Sequence, residues 1–233
     1  RFMDCAKYPM KELENRDVVA RAEFAEKEVR LDLSGCDKAY LERECPNIAR
    51  MARYNPHKPL PIRPVAHFFR GGVPLRTYCS TDVAGLYACG EVTGGLHGAN
   101  RLAGSALTET VVFGAIAGKN AAEYAAADAD TPETAAAAGR VLSTYPELGT
   151  DPLRDLRDDL RVTMQKDASV IRTKEGMEQA LGEIDKIKAA LRERRPASLA
   201  EWNELRNMLL TAESVTRAAL ERKESLGAHC RAD

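Results

Sequence analysis

The sequence predicts a mixed α/β segment followed by an all-α bundle, and three features of its texture lead there. A short apolar stretch, Gly85-Leu86-Tyr87-Ala88-Cys89, ends at Gly90 and runs through a glycine-rich loop, 93–98, into an apolar helix-length run from Ala106 to Ala127. Residues 128–132 have the composition of a linker. Beyond them, apolar residues recur at helical spacing in three successive stripes. Strand, glycine-rich loop and helix in that order are the pieces of a nucleotide-binding α/β domain.

Each element follows from local pattern. Asn15-Arg16-Asp17 leads into an apolar-periodic run, Val18 to Val29, that predicts a helix, and Arg30 to Leu33 alternates like a short strand. Residues 37–53 suit a further helix despite Pro46. Pro56, Pro59, Pro61 and Pro64 then force an extended approach that is expected to end as a strand at His67. Gly71-Gly72 predicts a turn or a tight backbone approach. The run 106–127 is apolar on most faces through Val111, Val112, Phe113 and Ile116, so burial is expected. The later stripes are Leu153, Leu156, Leu160 and Met164, then Met177, Leu181, Ile184 and Leu191, then Leu205, Met208, Leu209, Ala212, Val215 and Ala219. Pro196 separates the second from the third, and an antiparallel bundle without sequence repeats is expected.

Composition narrows the function classes. With 34 Lys and Arg against 35 Asp and Glu, no basic excess points to nucleic acid, and the 44% hydrophobic content is that of a globular chain. The apolar runs are too short to cross a bilayer, so membrane association is expected only through a partner. Six scattered cysteines include no CxxC pair and no His at metal spacing, which predicts reduced cytosolic thiols and no metal site. The opening residues are not a signal peptide, and a start at Arg1 predicts a piece of a longer polypeptide or a processed product.

Three places could carry chemistry. Gly90-Glu91, just beyond the expected strand, can let a ligand approach and accept hydrogen bonds from sugar or ribityl hydroxyls, or Glu91 can simply be a solvated loop carboxylate. Leu96 to Ser105 sets Asn100 and Arg101 in a small-residue loop leading into the helix at Ala106. That helix start offers unpaired N–H groups and the positive dipole end, and Arg101 a bidentate clamp for an anion, unless it is a plain surface residue. His67, before Phe68-Phe69-Arg70-Gly71-Gly72, is either a site residue or a packed core histidine.

The stretch from Pro59 through Pro-Val-Ala-His67 to Val73 resembles the succinate dehydrogenase/fumarate reductase flavoprotein family. So do Asp82 to Glu91, the string His97-Gly98-Ala99-Asn100-Arg101-Leu102, and the end segments 205–210 and 222–229, while Arg16 to Val19 resembles the helix closing the family's capping domain. The resemblance implies the carboxyl-terminal part of an FAD-binding Rossmann-like domain followed by a helical bundle. Its parts would be 1–55 (end of the capping domain), 56–127 (FAD-binding domain) and 133–233 (helical domain). It implies that His67 and Arg101 each bind one carboxylate of a C4 dicarboxylate, and that Gly90, Glu91, Ser105, Ala106 and Leu107 serve FAD. Glu91 would take the ribityl hydroxyls, with Ala106 and Leu107 at the flavin ring. No catalytic residue is expected in this chain, since the family's proton-shuttle Arg and its GxGxxG loop are not among these residues.

The function so implied is succinate–fumarate interconversion, with L-aspartate oxidase, a single-chain fumarate-reductase-like protein and a non-enzymatic docking module as alternatives. Alone, the chain is expected to be inactive and to hold FAD weakly. Expected partners are the amino-terminal half of the flavoprotein and an iron–sulfur subunit, at a cytoplasmic location peripheral to the membrane. Two departures from the family pattern stand out: Ser105-Ala106 replaces Asn-Ser, and Leu226 replaces Arg.

Overall fold

The computed structural model describes residue 3 and residues 6–49, 58–127 and 133–233. The chain forms two compact units, 1–65 and 66–233.

In the first unit, α1 spans Arg16–Ala25, with Asp17 pairing Arg21 one turn on at 2.8 Å. The helix stops four residues short of Val29, because Val29 is taken into a strand. Strand β1 (Val29–Leu31) pairs antiparallel with β2 (Leu60–Ile62), Val29 opposite Ile62, and the buried side chain of Val29 overrides helical propensity. Between the strands, the single helix expected over 37–53 is two short ones, α2 (Lys38–Glu44) and α3 (Pro46–Ala49). Pro46 accounts for the break: it has no N–H to continue α2, yet suits the first turn of α3. The remainder of that expected helix lies outside the described residues.

The second unit begins with an irregular segment. His67 is exposed and belongs to no strand; the extended pairing comes later, at β3 (Val73–Pro74), parallel to β4 (Thr93–Gly94). The glycine doublet marks a tight backbone approach: a Cβ on Gly72 would stand 2.1 Å from the Val92 carbonyl oxygen. The apolar stretch 85–89 is not a full strand. It is one arm of a hairpin bridged only at Ser80–Tyr87, with Thr81 N–H donating to Leu86 O and Ala88 N–H to Cys79 O. Among the described residues no second neighbour extends the ladder.

Helix α4 (Ser105–Ala127) packs over the turns 77–79 and 90–92 and buries Glu109 and Ala117. The burial expected for its apolar faces is corrected here: Leu107 is 78% and Val111 73% exposed. Among the described residues, the helix is covered along one side only. The expected linker, 128–132, lies outside the described residues; α5 (Glu133–Leu142) follows.

The main core lies in the bundle of α6 (Arg154–Asp167), α7 (Lys174–Glu193) and α8 (Leu199–Glu221). Leu156, Leu160, Ile184, Leu191, Leu205 and Leu209 meet there as the stripes predict, with Trp202 closing one end. Thr173 and Ser198 cap α7 and α8 by accepting from Gly176 N–H and Glu201 N–H. The chain end turns back: Arg172 N–H donates to Cys230 O and Ala232 N–H to Arg172 O, both at 2.9 Å. The Arg231 guanidinium donates to the last carbonyls of α8, Ala219 and Leu220. No helix among the described residues is long and apolar enough to cross a membrane.

Candidate functional site

Segment 67–70 and loop 91–101 are stitched side by side by four contacts. Phe69 N–H donates to Glu91 Oε1 at 2.9 Å, and Arg70 donates to Asn100 Oδ1 at 2.8 Å. The Phe68 ring meets the His97 ring edge-on, with centroids 5.4 Å apart, and lies 4.3 Å beneath the Arg101 guanidinium carbon. His67 and Arg101, 34 positions apart in the sequence, thus sit on adjoining strips, joined through the residue next to His67.

The Arg101 side chain is half-buried and carries little hydrogen bonding of its own. One terminal nitrogen donates to Leu102 O at 3.2 Å, and its buried Nε has no partner. Leaving such a donor unpaired costs on the order of 1–3 kcal/mol. A carboxylate facing the guanidinium would relieve that cost and accept from the remaining donors. The Leu102 carbonyl also takes Ser105 N–H and, at 2.6 Å, the Ser105 hydroxyl. Ser105 therefore ties the start of α4 to the Arg101 loop.

Glu91 is exposed on a single turn, Gly90–Val92, entered by Gly90 at φ 78°, a conformation that favours glycine. One carboxylate oxygen is held by Phe69 N–H and the other is open for a hydroxyl donor. Ala106 and Leu107 occupy the first turn of α4; Leu107 N–H reaches back to Gly104 O at 3.3 Å, while helix geometry gives Ala106 N–H no intrahelical acceptor. Exposed Leu102, Leu107 and Val111 surround this helix start. Arg70 also neighbours a second arginine: the Arg172 pKa is lowered, first by burial and then by the Arg70 charge.

The sequence reading missed one set of residues. Glu109, 5% exposed, lies 2.7 Å from His97 Nε2 and 3.3 Å from the Thr93 hydroxyl, which is 2.8 Å from Gly90 O. A carboxylate set among the apolar residues at the start of the long run, between Leu107 and Val111, was the available signal. Beside these residues a shallow pocket of about 380 Å³ is lined by Leu96, His97, Ser105, Thr108, Glu109, Val112 and Phe113. Cys36, Cys45, Cys79, Cys89 and Cys230 are unpaired thiols, and burial, then Cys89, pushes the Cys79 thiol up. Among the described residues no cluster of three or more His, Cys, Asp or Glu could hold a metal ion.

Comparison with known proteins shows what the chain as a whole is similar to. Residues 1–107 match the family described as FAD binding domain, and residues 157–233 that described as fumarate reductase flavoprotein C-term. The chain is similar to an uncharacterised FAD-dependent oxidoreductase of Methanocaldococcus jannaschii, 38% identical over all of this chain and 46% of that protein. It is also similar to the L-aspartate oxidase of Caulobacter vibrioides, 35% identical over 97% of this chain and 41% of the relative. In structure it resembles a variant of Escherichia coli quinol fumarate reductase FrdA with a TM-score of 0.83 and 31% identity, over 96% of this chain and 44% of that one. The chain thus spans less than half the length of each of these relatives.

The residues present fit part of a flavin site. A helix start with unpaired N–H groups suits the electron-rich edge of a flavin ring, the apolar side chains around it suit the ring itself, and the open oxygen of Glu91 suits a ribityl hydroxyl. With both ends of the chain matching its families and the fold matching throughout, this chain belongs to the succinate dehydrogenase/fumarate reductase flavoprotein family of FAD-dependent oxidoreductases.

Proposed function

We propose that the protein to which this chain belongs interconverts succinate and fumarate, and that the chain supplies the dicarboxylate clamp and one wall of the flavin site. The observation that carries this is Arg101, stacked on Phe68 with a buried, unpaired Nε, on the strip adjoining His67. Arg101 binds one carboxylate through two parallel N–H bonds, and His67, exposed and able to turn, takes the other. Fixing both ends of a four-carbon diacid holds its central bond in one place, a positioning effect that can supply several kcal/mol of the barrier. FAD, when bound, supplies the hydride chemistry at N5. Glu91 holds its ribityl chain, Gly90 allows the close approach, and Ser105, Ala106 and Leu107 place the positive end of α4 at the ring. The division into 1–55, 56–127 and 133–233 as capping-domain exit, FAD-binding part and helical domain belongs to the same reading. So do an amino-terminal partner half, an electron-carrying iron–sulfur subunit and a peripheral place at the cytoplasmic membrane. Likeness to a quinol fumarate reductase supports the electron-carrying partner.

The test is an assay of the full-length flavin-loaded protein on three substrates: succinate with an artificial acceptor, fumarate with a reduced dye, and L-aspartate with oxygen. Turnover of succinate or fumarate with aspartate inert is expected. Peroxide release from aspartate alone would overturn the succinate–fumarate assignment and make the protein an aspartate oxidase, with His67 and Arg101 keeping their roles on that C4 dicarboxylate. In the same assay Arg101→Ala removes turnover with flavin retained, whereas Glu91→Ala lowers flavin occupancy; wild-type turnover in the former would remove Arg101 from the site.

A further inference from the structure

We infer that Phe68, His97 and Glu109 form a positioning stack for the Arg101 guanidinium, an inference that rests on Arg101 being the dicarboxylate clamp. Arg101 is in no ion pair among the described residues; one terminal nitrogen donates to Leu102 O, and its buried Nε has no partner. Its orientation is set by a ring face: the guanidinium carbon lies 4.3 Å from the Phe68 centroid. A cation on an aromatic face keeps its in-plane N–H groups free, so the stack holds the charge in place without consuming the donors a carboxylate needs. An acidic partner would hold it more firmly but would compete with the substrate.

Phe68 is in turn oriented. The His97 ring meets it edge-on at 5.4 Å and 74°, an aromatic geometry with its own preference. His97 cannot rotate freely, because Nε2 is bound to Glu109 Oε2 at 2.7 Å, with side-chain exposures of 11% and 3%. Glu109 is fixed on α4 and shared with Thr93, whose hydroxyl also meets Gly90 O. A buried carboxylate is costly unless paired, and here its pairing spans the helix, the glycine-rich loop and the turn that carries Glu91. Glu109 thereby sets Arg101 and the Glu91 turn relative to one another, although it touches neither substrate nor flavin in the reading above.

The experiment uses the full-length flavin-loaded protein, titrated with malonate as a non-reacting dicarboxylate and followed by the flavin absorbance change, with KM and kcat for succinate alongside. Phe68→Leu keeps apolar volume but removes the ring face; its malonate Kd and succinate KM are expected to rise by roughly 3–20-fold with flavin content unchanged. Phe68→Tyr, which keeps the face, restores both to within about twofold of wild type, a rescue that a packing role alone would not require. Glu109→Gln keeps the volume but weakens the hold on His97, and falls between the two. Wild-type malonate affinity in Phe68→Leu, with Arg101→Ala unable to bind, overturns the stack and leaves the clamp standing. Wild-type affinity in Arg101→Ala overturns the clamp itself. Should Phe68→Leu lose its flavin, His97→Gln decides, because unchanged affinity there overturns the stack.

Discussion

Adding one methyl group at two glycines should change stability in opposite directions, because one glycine is a contact and the other is not. Gly227 stands at φ +59° with its α-carbon against the site loop; a Cβ there would lie 2.3 Å from Ala99 O and 2.7 Å from Ala99 C. The next residue, Ala228, donates its N–H to the same carbonyl at 3.3 Å. Gly227→Ala carries a left-handed backbone penalty of roughly 1–2 kcal/mol and an overpacking cost of roughly 1–3 kcal/mol, a destabilisation of about 2–5 kcal/mol. For a chain of this size that is a fall in Tm of roughly 4–20 °C. Gly182, within α7, has nothing within 4 Å of the place a Cβ would take. Gly182→Ala should therefore stabilise by roughly 0.5–1 kcal/mol through helix propensity alone. Thermal unfolding followed by far-ultraviolet circular dichroism separates the two. A Gly227→Ala protein that melts with the parent would refute the docking of the tail on Ala99. Equal losses in both variants would refute the attribution to contact.

Two further predictions concern the helical part. Leu205→Ala, at a fully buried position, should cost about 2–5 kcal/mol, whereas Leu210→Ala, 62% exposed on the same helix, should stay within about 0.5 kcal/mol in urea unfolding. Comparable losses would displace the core from the α6–α8 seam. His229 accepts from Arg172 at Nδ1 and donates from Nε2 to Arg222 O, which requires the neutral ring. Burial lowers its pKa most; the bond to Arg222 works the other way, and the charges of Arg172, Arg222 and Arg231 lower it further. With the folded value below the unfolded one, the unfolded chain binds the proton first. The contribution is intact above about pH 6.5 and is lost as pH falls through the folded value. Urea unfolding between pH 7 and 5 should show a decline that flattens in His229→Gln. Asp233, held at about 2 by Arg231, acts only in a more acidic window.

The terms by which this chain could be read from sequence are local ones. A helix stripe repeats within one or two turns, so Leu156 and Leu160, Ile184 and Leu191, and Leu205 and Leu209 announced their shared face, and Pro196 the break between helices. The family strings around His67, Glu91 and Arg101 were equally legible, because they are contiguous. Local pattern failed where a partner far along the chain decides. Val29 leaves its helix to pair with Ile62, and the apolar stretch at 85–89 becomes a hairpin arm because, among the described residues, its backbone bridges to segment 79–81 alone. The helix over 105–127 has the composition of a buried element, yet most of its apolar surface faces outward in this chain.

Periodicity alone therefore determined the bundle and the long helix, and contiguous strings of residues determined the family. Only the tertiary structure decided that Gly72 must be bare because Val92 passes against it, that Phe68 lies under Arg101, and that Glu109 is buried on His97. These contacts join positions well separated along the chain, and they exist only once the backbone has closed. Periodicity reports which face of an element will be covered; it carries no information about which distant residue will cover it.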